Sequence, residues 1–562
     1  MTEGSTTQGS TTQGSTTQGS TTQGSTTQGS TTGSITQGPA IPDALPDAIP
    51  DAIPGAGIDA PAGDAAEQPA GDPPAGRSRL AWKPVLAVTA AAVAVHLAVA
   101  TRFGWFGDEF YYVICGRHPA WGYVDQPPLA PMLARLAAAI PLDGGLLPLR
   151  VLAIAAQAGC IVLAAVLAAE FGGRRRAQTI AAAAIAGCPV FVGGALLFGT
   201  TVLDQLAWAA LFVLVARALR LGTTRAWLWV GLVAGIGLEN KDTVAVLLVG
   251  IGVALALHRR EVLRTRGPWL AAGLAFLLAL PNLIWDASHG WPNLSMDKAL
   301  SREQGGPLGA LLHLPQLPLV LSGLFLTGLW RIGVRRLRER PGHGDRWILT
   351  VAIVAVVLFT LGGGKPYYPA PAVLGLFAAG AVRVERFDTR RGRRGWPALL
   401  GLSAVTSTLL LLPVLPVGFA NAERGLNSDL MQTYGWPQFV AQAAKAAAPL
   451  PPGAPIFTSD YEEAGALTIL GPAAGIDRPI YSGHNNYTLW GPPPGRSQTV
   501  LVIGAYDSAQ LQQLCTSSEE IAPYTLPDGL TNNDIARHVA FYLCQDPRGT
   551  WAQLWPRLKH FD

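Results

Sequence analysis

Trp105-Phe106-Gly107-Asp108-Glu109-Phe110-Tyr111-Tyr112 is a polar, aromatic stretch between two apolar runs, and Gly122-Tyr123-Val124-Asp125-Gln126-Pro127-Pro128-Leu129 closes it. It carries an adjacent acid pair, Asp108 and Glu109, and a third acid, Asp125, just before a double proline. Carboxylates held beside apolar spans are costly and lean towards function. The competing role is a solvated loop whose Trp and Tyr side chains anchor at a membrane interface.

The flanking runs decide the fold class. The chain of 562 residues is 49% hydrophobic and only 14% charged, where a soluble domain carries about a quarter charged residues. Its apolar runs reach the length of about 20 residues that a bilayer crossing needs. Working outward from the loop, residues 82–101 form the first span and 129–140 a short interfacial helix. Further spans are expected near 146–170, 177–192, 201–219, 226–238, 243–257, 268–285, 314–330, 347–361, 371–382 and 396–417. That makes about eleven transmembrane helices by the length rule.

The arginines fix the expected orientation. Arg174 to Arg176, Arg217 with Arg220 and Arg225, Arg259 with Arg260, Arg331 to Arg340, and Arg383 to Arg394 all fall in loops on one side. Basic loops mark the cytoplasmic face. The N-terminus is therefore expected in the cytoplasm, with the acidic loop and the C-terminal tail outside. The net charge of +4 follows from this loop chemistry, and no nucleic-acid partner is expected.

Residues 1–76 open with tandem Gly-Ser-Thr-Thr-Gln units and continue in an Ile-Pro-Asp-Ala type repeat. Such sequence cannot bury enough apolar surface to fold, so a disordered cytoplasmic tail is expected. Residues 77–417 are expected to form the transmembrane domain and 418–562 an extracytoplasmic domain. In the latter, Pro455 to Thr458 and Thr499 to Gly504 suit buried strands, and Ala441 to Ala447 a helix after Trp436-Pro437. A small α/β or α+β unit is expected there. Gly483-His484-Asn485-Asn486-Tyr487 suits either loop structure or contact with an acceptor. Cys515 and Cys544 both fall in this domain, and their pairing is left open.

Four further polar sites interrupt the apolar runs. Asp204 sits near the outer end of a span, as a cavity-facing acid or a helix-end cap. Lys241, in Glu239-Asn240-Lys241-Asp242, suits a phosphate or a self-paired polar turn. His289 suits a metal ligand or proton relay, or a solvated loop position. Lys365 with Tyr367 and Tyr368, after three glycines, suits a grip on a lipid-linked phosphate or an interfacial anchor.

The pattern D-E-x-Y-Y, then G-R-H, then G-Y-V-D-Q-P-P-L resembles the first extracytoplasmic loop of bacterial family-39 glycosyltransferases. These are polytopic GT-C enzymes, related to protein O-mannosyltransferases and the aminoarabinose transferase of lipid A. The likeness continues through Asp204, Lys241, His289-Gly290-Trp291-Pro292, Lys365-Pro366-Tyr367-Tyr368 and the closing Trp551 to Asp562, so it runs from about residue 80 onward. Gln126 departs from it, since some relatives carry Lys or His beside the prolines.

The resemblance implies a GT-C fold and transfer of a sugar from a polyprenyl-phosphate donor. The acceptor, of unknown identity, would be a protein, lipid or cell-envelope glycan on the extracytoplasmic face of the plasma membrane. Asp108 and Glu109 become the catalytic candidates, with Asp108 as general base on the acceptor hydroxyl and Glu109 in support. Asp204, Lys241, Lys365, Tyr367, Tyr368 and Tyr123 become candidates for binding substrate and phosphate. Asp125 and His289 become candidate ligands of a divalent metal ion, whose preference is for carboxylate oxygens. The alternative function is a non-enzymatic transporter or flippase of lipid-linked sugars.

Overall fold

The computed structural model describes residues 78–303, 322–329, 346–365, 367–387, 390–422 and 427–561. The repeat tail, most of the span expected near 314–330 and the basic loop Arg331 to Arg340 lie outside the described residues.

The described residues form a helical membrane bundle and a mixed five-stranded sheet. Four helices are long and apolar enough to cross a bilayer: Trp82–Val99, Asp143–Glu170, Thr200–Leu221 and Arg266–Ser288. Thr224–Leu238, Thr243–His258 and Arg346–Gly362 are apolar but have 15, 16 and 17 residues, against about 20 for a perpendicular crossing. Against the eleven expected crossings, the described residues show four helices of spanning length and a set of shorter apolar ones. Polar turns such as Glu239 to Asp242 cut the apolar runs short.

Small residues let these helices close up, as they must where lipid gives no hydrophobic drive. A Cβ on Gly231 would lie 2.4 Å from the Ala271 carbonyl oxygen, and one on Gly235 would lie 2.6 Å from Leu278 Cβ. Helix Thr224–Leu238 thus rides directly on Arg266–Ser288.

Polar contacts sort the helix ends into two layers. In one, Glu170 accepts from Arg217 Nε at 2.8 Å and Arg220 Nε at 3.0 Å, and Glu385 accepts the Arg174 and Ala177 N–H groups. In the other, Asn240 donates to the Thr200 carbonyl at 2.9 Å and Leu129 N–H to the Glu239 carbonyl at 2.8 Å. The arginine-rich ends and the acid-bearing ends therefore gather separately, as the loop alternation requires.

One element differs from expectation. The stretch read as loop contains an 11-residue helix, Gly107–Arg117. Asp108 and Glu109 lie in its first turn, where acids complement the helix dipole. Glu109 reaches back to accept the Phe106 N–H at 2.9 Å, satisfying a donor the helix cannot. The expected interfacial helix follows at Leu129–Ala138.

The sheet has the order β2-β1-β3-β5-β4, with β1 Ile456–Thr458, β2 Ile480–Ser482, β3 Thr499–Gly504, β4 Cys515–Pro523 and β5 Ala540–Pro547. β2, β1 and β3 run parallel, and β5 and β4 add antiparallel. Alternation splits the buried strand residues between two cores. Ile456, Leu501 and Ile503 pack with Phe439, Trp436, Trp105 and Phe110. Phe457, Val500 and Val502 pack with Trp551 and Trp555 on the far face. The near face of the sheet thus shares one core with the helix that carries Asp108. A Cys515–Cys544 disulfide joins β4 to β5.

Candidate active site

Gly107 decides how closely the sheet domain approaches. A Cβ there would fall 2.3 Å from Glu462 Cδ. Only glycine lets helix Tyr461–Leu470 pack against the start of Gly107–Arg117. That contact delivers the Tyr461 hydroxyl to Asp108, donating to Oδ1 at 2.6 Å. Beside it, Tyr111 donates to Asp125 Oδ1 at 3.0 Å. The two tyrosine rings touch, with centroids 4.6 Å apart. The Asn486 N–H donates to the Tyr111 hydroxyl at 3.1 Å, and Asn486 Oδ1 accepts the Val124 N–H at 3.2 Å. The Gly483 to Asn486 turn therefore clamps both halves of the acidic motif.

Asp108 and Asp125 are half-buried and feel one another's charge. Burial raises the Asp108 carboxyl above its ordinary value; the Tyr461 hydrogen bond and Lys365 pull it down, and Asp429 and Asp460 push it up. Burial likewise pushes Asp125 up to about 7, with the Tyr111 bond opposing and Asp108 adding to the rise. Two like charges in one site titrate as a pair. Burial thus holds both carboxyls above the ordinary range, towards the proton affinity that suits a general base.

Glu109, grouped with Asp108 in the sequence, turns the other way. It is fully buried and takes Arg150 in a fork, Nε to Oε1 at 2.5 Å and Nη2 to Oε2 at 2.7 Å. It also accepts the Phe198 N–H at 2.9 Å. Arg150 spends its remaining reach on the Ala100 and Gly104 carbonyls, each at 2.9 Å. With this set complete, Glu109 holds the helix in place and does not face the Asp108 hydroxyl partners.

A second cluster forms where helix Thr200–Leu221 meets the Glu239 to Asp242 turn. Lys241 Nζ donates to Thr201 Oγ1 at 3.1 Å. It stands 4.8 Å from the Tyr368 ring centroid and 5.6 Å from that of Tyr367, a cation–π arrangement. Asp204 is buried one helical turn beyond Thr201, within electrostatic reach of Lys241. Lys365 acts electrostatically on both Asp108 and Asp429. Tyr112 lies between the clusters, its hydroxyl accepting the Thr200 N–H at 3.4 Å and its ring feeling Asp108.

Two expected members are placed elsewhere. Tyr123 is fully buried, donating to the Cys115 carbonyl at 2.9 Å and accepting the Ala120 N–H at 3.3 Å. Its hydroxyl closes the loop, so it belongs to the core rather than to a phosphate. His289 stacks on Trp285 at 4.1 Å and its Nδ1 lies 2.8 Å from the Trp285 carbonyl, closing the end of Arg266–Ser288. Among the described residues, no three His, Cys, Asp or Glu side chains are grouped to hold a metal ion.

The sequence reading missed the sheet domain's share. Asp460 receives Arg537 Nη1 at 2.9 Å and lies 3.4 Å from His484 Nδ1. Burial alone would raise its carboxyl, but His484 and Arg537 overcome this and hold it well below the ordinary range. Glu462 is buried with both oxygens accepting from Gln432 Nε2, at 2.6 and 2.8 Å. One signal was available: Asp460-Tyr461-Glu462-Glu463 has the spacing of a capping box, and Asp460 does cap helix Tyr461–Leu470.

Residues 125–285 match the model of the dolichyl-phosphate-mannose-protein mannosyltransferase family. Among solved structures, ArnT from Cupriavidus metallidurans bound to undecaprenyl phosphate aligns at 15% identity and TM-score 0.55, covering 82% of this chain and 97% of that one. Its apo state aligns at 16% identity with the same coverage and TM-score. The arabinofuranosyltransferase AftD from Mycobacteria aligns at 12% identity and TM-score 0.47, over 82% of this chain and 40% of that one. No curated protein matches the sequence. The chain is a multi-pass membrane protein that shares the fold of ArnT, and its resemblance to the mannosyltransferase family is carried by residues 125–285.

Proposed function

We propose that this protein is a membrane glycosyltransferase that moves a sugar from a polyprenyl-phosphate donor to an acceptor hydroxyl on the extracytoplasmic face. The observation that carries it is the pairing of a tyrosine-held carboxylate, Asp108, with a lysine held over two tyrosine rings, Lys241, at the same end of the bundle. One supplies a base and the other a cation for a phosphate. The matched mannosyltransferase family is described by its dolichyl-phosphate-mannose donor, and the aligned ArnT holds undecaprenyl phosphate. A Cys515–Cys544 disulfide in the sheet domain suits an oxidising compartment.

In this mechanism the Asp108 carboxylate takes the proton from the acceptor hydroxyl. The freed oxygen attacks the anomeric carbon of the donor sugar. The bond from that carbon to the phosphate oxygen breaks, and its electron pair leaves with the polyprenyl phosphate. Lys241, with Lys365 nearer the acids, offsets the charge that grows on the phosphate. Tyr461 and Tyr111 hold the two carboxylates in line. Glu109 and Arg150 fix the helix that carries Asp108.

A transporter would need its polar groups to lead towards the arginine-rich end. The assembled acids, lysines and tyrosines gather at the opposite end instead, which favours the transferase. The test is sugar transfer from a synthetic polyprenyl-phosphate sugar by purified protein, with Asp108→Asn alongside and folding checked on both. We expect the substitution to abolish transfer. Equal rates would remove Asp108 from the mechanism, and no transfer by well-folded wild type from any such donor would sink the function.

A further inference from the structure

The arginine-rich end of the bundle holds a cavity of about 280 Å³ between helix Thr200–Leu221 and helix Thr224–Leu238, with Leu214, Arg217, Leu221, Thr223, Arg225 and Trp229 on its walls. The two helices are joined by a tight turn. Gly222, at a φ of 65°, ends the first, and the Thr223 side chain caps the second by accepting the Ala226 N–H at 3.4 Å. None of the six wall residues is buried, so each is offered to a ligand.

The walls are graded along the helix axes. Thr223 and Arg225 stand at the turn, and Arg217 lies about 6 Å in from Leu221. Leu214 lies about 10 Å in from Leu221, and Trp229 about 8 Å in from Thr224. Apart from Leu221, the polar groups thus stand towards the membrane surface and the apolar ones towards the bilayer interior. Leu221 and Trp229 are exposed, and exposed apolar groups at the end of a spanning helix face lipid.

The charge on the walls selects the ligand. Arg217 gives Nε to Glu170 at 2.8 Å, and Arg220 gives Nε to the same carboxylate at 3.0 Å. One buried acid therefore serves two arginines. Arg225 is exposed and has no acidic partner among the described residues. Two guanidinium groups and no carboxylate line the cavity. Guanidinium groups with the Thr223 hydroxyl beside them suit a phosphate. A soluble anion would leave Trp229 and Leu214 unused, whereas the carbons that follow a lipid phosphate would cover them. The volume lies at the lower end of small-molecule sites, about 300 Å³, so it admits a head group rather than a whole lipid.

We propose that this cavity binds an anionic glycerophospholipid, with its phosphate between Arg217 and Arg225 and its glycerol and first acyl carbons against Trp229 and Leu214. Basic pockets between membrane helices hold anionic head groups by the same chemistry. This site is separate from the donor phosphate. Helix Thr224–Leu238 has 15 residues and is about 22 Å long, and it lies between the cavity and the turn that carries Lys241. Lipid binding here does not depend on the transferase function.

The test uses the purified full-length protein in neutral detergent. Dioleoyl-phosphatidylglycerol is the anionic probe and dioleoyl-phosphatidylcholine the zwitterionic one, with binding read by native mass spectrometry and by the rise in Tm. Phosphatidylglycerol should bind and raise the Tm, and phosphatidylcholine at equal concentration should not. Arg225→Gln should weaken phosphatidylglycerol binding about fivefold, the worth of one arginine at an anionic head group. Arg225 has no acidic partner to strand, so this variant should fold. Trp229→Ala should weaken binding too. Arg260→Gln removes an exposed arginine of the same end that lies outside the cavity, and it should leave binding unchanged. Glycerol phosphate, which lacks acyl chains, should not compete. Equal binding of the two lipids, or no loss in either cavity variant, would overturn the assignment. So would a loss in Arg260→Gln as large as in Arg225→Gln, which would mean diffuse attraction. Competition by glycerol phosphate would make this a soluble-anion site, and tighter binding of undecaprenyl phosphate would make it a prenyl-phosphate site; either result overturns the proposal.

Discussion

Replacing Tyr461 by Phe removes one hydroxyl and leaves the ring that packs on Tyr111. The lost contact is the 2.6 Å donation to Asp108 Oδ1. A hydrogen bond to a charged group contributes about 1.5–3 kcal/mol, and one pKa unit corresponds to about 1.4 kcal/mol. The bond favours the ionised carboxylate, so its loss must raise the Asp108 pKa, by about one to two units. A general base works when ionised, so activity fails as pH falls through that pKa. The wild-type acid limb should lie above the ordinary carboxylate range, because burial raises Asp108. In Tyr461→Phe the acid limb of kcat/KM should move to higher pH by that one to two units, with the plateau at high pH largely kept. Tyr111→Phe removes a longer bond, 3.0 Å to Asp125, and should shift the limb less. The assay is sugar transfer at subsaturating acceptor across the pH range for all three proteins. An unmoved limb in Tyr461→Phe would refute the assignment of Asp108 as base. A loss of rate equal at every pH would make Tyr461 a structural residue only.

Three further outcomes follow from the geometry. Arg150→Met leaves the Glu109 carboxylate buried without its main partner and should cost about 3–5 kcal/mol in unfolding of the detergent-solubilised protein, with much of the loss recovered by adding Glu109→Gln; a cost below about 1 kcal/mol would mean the pair behaves as a surface one. Lys241→Met should lower transfer by about a hundredfold, the loss typical of one charge-stabilising group, with Lys241→Arg milder; unchanged donor KM and kcat would remove Lys241 from the phosphate. For the metal, the neighbouring Asp108 and Asp125 are the carboxylates proposed to hold a hard cation, and two carboxylates bind one loosely. Transfer should therefore fall after EDTA and return only with excess Mg²⁺, whereas a rate indifferent to EDTA would leave the two acids to proton work.

The bundle was legible because membranes impose simple arithmetic. Apolar length and the side chosen by arginine placed helix Leu146–Glu170 and helix Thr200–Leu221 almost to the residue. The short strands Ile456–Thr458 and Thr499–Gly504 were legible for a similar reason, being apolar runs buried on both faces. The helix Gly107–Arg117 was not, because its apolar residues run without period. It is buried nearly all round, by the bundle on one side and the sheet domain on the other. The division of labour between Asp108 and Glu109 was hidden for the same reason. Adjacent residues on a helix point about 100° apart, but nothing local says which direction holds Arg150, 41 residues on.

That separation explains why the acidic motif could not have been a site by itself. Asp108 takes its hydrogen bond from Tyr461, 353 positions away, and Tyr111 takes one from Asn486, 375 away. Each of the two carboxylates therefore depends on a tyrosine whose placement depends on the sheet domain. The sheet domain reaches them only because residue 107 has no side chain to meet Glu462. Gly107→Ala should accordingly damage the Asp108 environment before it damages the bundle. The added methyl must displace either Glu462, which is held by Gln432 at both oxygens, or the helix that carries Tyr461. Overpacking of this kind costs about 1–3 kcal/mol, small beside the stability of a multi-pass bundle, yet a 1 Å shift at a reacting group can cost about a hundredfold in rate. A Gly107→Ala protein that unfolds like wild type but transfers sugar as fast would show that the sheet domain does not set the geometry of Asp108.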